Sequence, residues 1–549
     1  MSESLERLSE RLLERLSITE PSESEFCQSD SDLLSQAADL DRWAWQAICR
    51  WPEHCSIEVV RDRLDYGALT RYFLWDKVPR AIRSQVDPEG FAFEQSLLER
   101  YPSALQSAVE PSASGGALYR SFSGKRLKQF LKRQARIASL RLRHWKKTTV
   151  FVPRVHPQLH STITALQDRP NIRLVAPFDP GNTLLDTFVA AAVGPADEAF
   201  ARQLYNGILQ GLLAFEIELL ESDRTTLAQQ ILAQSRLIPQ VEAELAAMKP
   251  QAVLVFADNH TPSQEYVAIA NRQGIPTVLL QHGLDCEQHC LDEAYASVIA
   301  VWGKARKQRY QTDSLQSLSQ IEVTGNPRYD SVSVPSDWSV DLSADLSNRQ
   351  PGSQSDSLRS DGNRWLWVTR PHSPYKCYSP SRLPSEGLDI LEALLMALEQ
   401  NKTAELMIKP HPFDYADLYA EKIEAWGLGD RVTISQASLQ SLFPEADIVI
   451  SEDSTAAMEA MFYSKVLIHA HFAASAAVLP LVDYAAALPA HNAKMLQTSL
   501  GLAARLSTED RENMLAGQRN FVQDYAGLLD GKAAWRVTSL IEQVISSNK

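Results

Sequence analysis

Between residues 148 and 330 the chain alternates short apolar, β-branched runs with longer stretches whose apolar positions recur at helical spacing. The apolar runs lie at 148–153, 172–176, 252–257, 277–281, 297–301 and 321–324. Short runs of this kind, bounded by turn residues, read as strands buried on both faces. Between them, 157–167 and 263–273 are predicted helices, and a long helical section runs from about 183 to 248. The rhythm stops at 331–363, where Ser, Asp, Asn, Gly and Pro dominate and no period survives, the composition of a linker. It then restarts, with predicted strands at 365–369, 405–408, 432–434, 447–450 and 466–468 and predicted helices at 386–400, 415–426 and 454–463. Strands alternating with helices imply a parallel sheet covered on both faces. The expected fold is therefore α/β, with two Rossmann-like doubly wound domains, 148–330 and 364–549, facing a cleft.

Residues 1–147 have a different texture. The first 30 or so are polar and rich in Ser and Glu, after which Trp43, Trp45, Ile48 and Trp51 recur at helical spacing. A Ser/Gly-rich break at 111–116 precedes a segment, 125–147, that holds ten Lys and Arg, from Lys125 to Lys147, and no acid. The region is expected to be acidic and helical and to end in a basic amphipathic helix. Interleaved with Leu127, Phe130, Leu131 and Trp145, that helix suits an anionic membrane surface, each cation near it contributing about 1 kcal/mol. A solvated face packed against the acidic N-terminal region is the equal alternative.

Composition narrows the function. At 549 residues with 44% hydrophobic positions, the chain can build several cores. No apolar stretch is long enough to span a bilayer, and the N-terminus lacks a secretory layout. The expectation is a cytoplasmic protein, with a peripheral seat on the inner face of the plasma membrane if the basic helix is used that way. Six scattered cysteines fit a reducing compartment. The net charge of −14 argues against nucleic-acid binding. His282, Cys286, His289 and Cys290 match no common zinc spacing, so no metal is expected. No G-x-G-x-x-G fingerprint follows the first strand of the second domain, and no cofactor is expected.

The chemistry-bearing residues gather at predicted strand ends, which line the ligand crevice of an open parallel sheet. Lys409 and His411, within Lys-Pro-His-Pro, follow one strand. Ser451-Glu-Asp-Ser-Thr follows another and opens into a helix. Ser454 and Thr455 add hydroxyls at a helix start, where phosphate is attracted, and Glu459 lies one turn deeper, where a carboxylate suits ribose hydroxyls. His411 can donate to a leaving phosphate, Lys409 adds charge, and Arg370 after the first strand is a further phosphate contact. In the first domain, Asp258, His260 and His282 are the candidate bases for an acceptor hydroxyl, with no order among them. A plain N-cap role for Ser454 and hydrogen-bonded structural roles for His411 and His282 are the competing readings.

Lys409-Pro-His-Pro, the Ser451–Ala460 segment, the Thr324-Gly-Asn-Pro-Arg-Tyr-Asp run and the Tyr525–Ala533 tail resemble capsule-polysaccharide biosynthesis proteins. They also resemble CDP-glycerol glycerophosphotransferases and bacterial CMP-sugar (sialic acid, Kdo) transferases, all of the two-Rossmann-domain (GT-B) kind. UDP-GlcNAc 2-epimerases share the fold and a similar motif layout. The likeness covers about 250–547 in motifs and 148–250 by rhythm alone. It implies that His411, Ser454 and Thr455 meet the donor phosphate, that Glu459 meets the ribose, that Gly325-Asn326-Pro327 is a hinge and that catalysis is metal-independent. Gln281-His282-Gly283 resembles the Gln-His-Gly segment of capsule proteins. Glu452-Asp453 departs from the pattern, because two acids stand where small or hydroxyl residues are usual. The function expected is transfer of a sugar or polyol phosphate from a nucleotide-activated donor, CMP- or CDP-linked, to a surface or capsular glycan or its lipid-linked form. The alternatives are an epimerase-like nucleotide-sugar enzyme and a catalytically silent assembly subunit, the latter favoured if Glu452 and Asp453 fill the phosphate pocket.

Overall fold

The structure is a computed structural model that describes residues 40–99, 147–175, 195–284, 295–313, 320–332, 363–372, 382–412, 414–473 and 477–548. The basic segment up to residue 146, Cys286, His289, Cys290 and most of the 331–363 linker lie outside them.

Two six-stranded sheets carry the fold, and every strand pair in them is parallel. The first comprises β3 (Thr148–Phe151), β4 (Ile172–Val175), β5 (Ala252–Val255), β6 (Thr277–Leu280), β7 (Val298–Val301) and β8 (Ile321–Val323), in the order β4-β3-β5-β6-β7-β8. The second comprises β9 (Arg364–Val368), β10 (Glu405–Lys409), β11 (Val432–Ile434), β12 (Ile448–Ser451), β13 (Val466–Ala470) and β14 (Leu488–Ala490), in the order β11-β10-β9-β12-β13-β14. β5, β6 and β7 are buried at every position, which is why they read as continuous apolar runs rather than alternating ones. The winding reverses between β3 and β5 in one sheet and between β9 and β12 in the other. Those reversals open the crevices where ligands of doubly wound sheets bind. The fold is thus the expected pair of Rossmann-like domains in the GT-B arrangement.

Five features depart from the sequence expectation. The long helical section breaks at 214–220 into Pro195–Leu213 and Glu221–Met248. Glu216 turns the chain there with φ of 60°, and Phe215, Ile217 and Leu219 around it are buried. Leu439–Glu445 is a short helix despite Pro444, and β14 extends the second sheet. The N-terminal region holds a two-stranded ribbon, β1 (Val60–Arg61) with β2 (Leu64–Asp65). Lastly, the helix Ala533–Ser547 crosses back from the second domain and packs Val537, Ile541 and Val544 against Val150, Leu166 and Leu254 of the first. The second domain's sequence range of 364–549 therefore overruns its core.

The N-terminal helices cap the two long helices instead of forming a separate unit. Trp43, Ile48, Trp51, Phe73 and Val78 share one core with Leu204, Ile208, Leu212 and Leu227. Their far end reaches the second domain, where the Glu94 carboxylate accepts from the Ser385 N–H at 3.1 Å and from its hydroxyl. No helix among the described residues is long and apolar enough to cross a membrane.

Where the domains meet, backbone passes so close to backbone that side chains are excluded. A Cβ on Gly303 would collide with the Asp524 carbonyl oxygen, and one on Gly527 (φ 75°) with the Trp302 carbonyl. Gly303→Ala is expected to lower stability by about 1–3 kcal/mol. A urea titration checks this: the midpoint should fall while the slope stays unchanged.

Candidate active site in the interdomain cleft

The loops after β9, β10 and β12 bring Arg370, Lys409, His411, Ser454 and Thr455 to one end of the second sheet, around its winding reversal. Ser454 caps the helix Thr455–Met461 by accepting from the Ala456 N–H at 3.2 Å. The His411 N–H donates to Thr369 Oγ1 at 3.0 Å, and the His411 carbonyl accepts from the Asp414 N–H at 2.8 Å, so the His-Pro turn is pinned on both sides. Burial lowers the His411 pKa; Asp414 partly offsets this, while Arg370 and Lys409 add to it. Burial also lowers the Lys409 pKa. Ser451 is different: it is fully buried and its hydroxyl donates to the Glu452 carbonyl at 3.2 Å.

The two unexpected acids turn inward. Glu452 pairs with the buried guanidinium of Arg382, whose own contacts are Tyr419 and, at 4.0 Å, Asp414. Burial opposes the charge on Arg382, but Glu452, Tyr419 and Asp414 outweigh it and raise its pKa. Asp453 takes a hydrogen bond from His469 Nε2 at 3.1 Å and from the N–H groups of Val478 (2.9 Å) and Leu479 (3.1 Å). Its burial alone would favour the neutral acid. The His469 hydrogen bond and charge, with Arg370 behind them, prevail and hold its pKa well below the usual carboxylate range.

Across the cleft, the turn after β6 faces that helix. The Leu284 N–H donates to Thr455 Oγ1 at 3.1 Å, and the space over Gly283 is bounded by the same hydroxyl, 3.8 Å from an ideal Cβ. His282, half-buried beside them, stands edge-on to Phe256, and the far side of the same turn lines an interdomain cavity of about 90 Å³ with Arg306, Arg309 and Tyr525. The other two candidate bases are placed differently. Asp258 is wholly buried and accepts from the Ala296 N–H at 3.0 Å, while His260 lies against Tyr72 with ring centroids 4.4 Å apart. Glu459, expected at the ribose, is engaged by the Tyr329 hydroxyl at 2.9 Å and by Arg328 at 3.5 Å, both from the first domain. Gly325, at φ of 78°, begins the Gly-Asn-Pro segment, and Arg536 of the crossing helix donates to the adjoining Thr324 carbonyl at 2.6 Å.

Several site-forming residues escaped the sequence reading. His156 follows β3, beside the first sheet's winding reversal, and stacks on Phe256 at 4.1 Å, with Arg154 over the same ring. Burial lowers its pKa to about 4, helped by His282, Arg154, His160 and Arg328. The strand-end rule used for β5 and β6 would have found it if applied to β3. Arg382, Asp414, His469 and His471 carry no local signal of their own, since each matters through a partner distant in sequence.

His372 gives this architecture a pH dependence. It lies 3.2 Å from Asp414 and 3.1 Å from the Tyr419 hydroxyl, yet burial lowers its pKa to about 4 in spite of Asp414. Near pH 7 the imidazole is thus neutral: its Nε2 meets the Tyr419 hydroxyl, while Nδ1 approaches Asp414 without a hydrogen bond. Unfolded histidine titrates near 6.5, so between roughly pH 6.5 and 4 the unfolded chain binds a proton that the folded one refuses. Stability from this group is full above that window and falls as pH drops, by up to about 3 kcal/mol. His372→Gln should be less stable than wild type at pH 7.5 but lose less on going to pH 5, as read from urea midpoints at the two pH values.

No protein-family model and no curated protein matches the chain. Solved structures do resemble it. MnaA of S. aureus with UDP has a TM-score of 0.45 at 14% identity, over 73% of this chain and 97% of that one. UDP-GlcNAc 2-epimerase of Neisseria meningitidis bound to UDP-GlcNAc gives 0.43 at 15%, over 72% and 99%. The wall teichoic acid polymerase TagF with CDPG gives 0.40 at 12%, over 78% and 99%. At such values the fold rests on the strand orders above, and nothing about activity follows from the likeness.

Proposed function

We propose that the chain is a glycosyltransferase or polyol-phosphate transferase that moves its group from a nucleotide-activated donor, CMP- or CDP-linked, to a surface-glycan hydroxyl. The observation that carries this reading is the meeting of Thr455 with the Gln281–Leu284 turn. A hydroxyl of the donor-side domain and the loop bearing an acceptor-side imidazole share one spot at two sheet ends. Arg370, Lys409 and His411 on one wall, with Arg154 and Arg328 on the other, favour an anionic ligand between them. In this reading Lys409, Arg370, His411, Ser454 and Thr455 hold the donor phosphates, and neutral His411 donates to the leaving phosphate. His282 takes the proton of the acceptor hydroxyl, preferred to Asp258 and His260 because it adjoins Gly283 and Thr455. Nucleotide binding would draw Glu459 from Tyr329 toward the ribose, loosening the contact between domains. The inward turn of Glu452 and Asp453 weighs against the silent subunit. An acceptor on a lipid carrier would give residues 125–147 their use at the membrane surface.

Thermal-shift titrations with CMP, CDP, UDP and GDP test the donor half. A ligand that binds only the folded chain raises the midpoint with occupancy. CMP or CDP should do so in wild type and much less in His411→Ala. A response to UDP alone would move the reading to UDP-sugar enzymes, the epimerase among them, and no response at millimolar nucleotide would leave the silent subunit. For the acceptor half, His282→Ala should keep the nucleotide-induced shift and lose about 10²–10⁴-fold in the rate of nucleotide release from the donor.

A further inference from the structure

We infer that Asp453, His469 and His471 form a binding site for one divalent transition-metal ion of the zinc class. His469 is the penultimate residue of β13 and His471 lies just beyond its end, where its N–H still bonds the Ala490 carbonyl at 2.8 Å and extends the ladder to β14. Residues two apart on an extended strand project to the same face, and the two rings stand 5.9 Å apart. Asp453 arrives on that face from the loop after β12. One of its oxygens is 3.1 Å from His469 Nε2 and the other 3.7 Å from His471 Nδ1, and one donor atom from each residue falls within 4.8 Å of the rest. Bonds of about 2.0–2.2 Å put neighbouring donors about 3.3 Å apart in a tetrahedral site, so these separations straddle what an ion needs.

The donor chemistry selects the ion. Two imidazoles and one carboxylate suit zinc, cobalt(II) or iron(II), whereas magnesium and calcium prefer all-oxygen sets. The Val478 and Leu479 N–H groups fix the carboxylate's orientation, the outer-shell support that metal-binding carboxylates have. Binding at His469 Nε2 replaces the hydrogen bond to Asp453 and leaves that ring's proton on Nδ1. His471, 9% exposed against 1% for the other two, is the ligand nearest solvent and the entry side. The ion would tie β12 to β13 at the residue preceding Ser454, bracing the loop structurally. The site is independent of the proposed transfer reaction.

Cobalt(II) titration of the chelator-treated full-length chain, followed by visible absorbance, tests this. Expected is saturation at one ion per chain, with d–d bands, no thiolate-to-cobalt charge-transfer band, and displacement by zinc. His471→Gln, which leaves the Asp453–His469 hydrogen bond in place, should keep its circular dichroism and bind more than about tenfold more weakly, since loss of outer-shell partners alone costs that much. His469→Gln should do the same. Absence of a saturable site would overturn the inference. So would a thiolate band, which assigns the ion to cysteine, or wild-type affinity in both histidine variants.

Discussion

Two adjacent carboxylates, Glu452 and Asp453, are buried at the end of β12, and much of the second domain is arranged to accommodate them. Removing one partner from a buried ion pair costs about 3–5 kcal/mol, because the charge left behind has neither water nor counter-charge. Glu452 takes Arg382, and Arg382 in turn draws in Tyr419, Asp414 and, through Tyr419, His372. That network spans the loops after β9 and β10, so it fixes the turn that carries His411. Asp453 takes His469 and two backbone N–H groups, which anchors the Val478–Leu479 wall of the interdomain cavity. With both acids directed inward, the next two side chains, Ser454 and Thr455, are left as helix cap and cleft contact.

The domains are held together by a few specific contacts. Thr455 meets Leu284, Glu459 meets Tyr329 and Arg328, and Glu94 meets Ser385. The crossing helix closes the covalent circuit by building Val537, Ile541 and Val544 into the first domain's core. Leu284, Trp302 and Tyr329 of the first domain also join one buried apolar cluster with Phe462, Phe521 and Ala526 of the second, while the polar contacts are single groups worth about 1 kcal/mol each when neutral.

The architecture was legible because fully buried parallel strands write themselves as unbroken apolar runs: Ala252–Val255, Thr277–Leu280 and Val298–Val301 leave no other reading. Strand ends were legible too, since the winding rule fixes where a crevice opens, and it led to His411, Ser454, Thr455 and His282 together. Range and partnership were not. Nothing in Ala533–Ser547 says that its apolar face is answered by Val150 and Leu166, about 370 residues earlier in the numbering. The same blindness hid Arg382 in a polar loop and kept Asp258, His260 and His282 unranked, since only their neighbours in the fold separate them. The break at 214–220 was missed because its apolar residues continue the helical composition, and only packing against the N-terminal tryptophans turns them out of the helix.

The net charge of −14 and the cationic lining of the cleft are compatible because a site feels its neighbours far more than the whole. Two unit charges 4 Å apart interact by about 4 kcal/mol at an effective dielectric of 20, and beyond a Debye length of about 8 Å solvent salt screens exposed charges. Glu452 and Asp453 directly precede Ser454, and Arg382 and His469 answer them. Arg370, itself buried, adds its charge beside both acids, and Lys409 stands nearby with His411 kept neutral and able to donate. A departure from the family pattern that read as a threat to phosphate binding thus need not repel it, provided each acid keeps its inward partner.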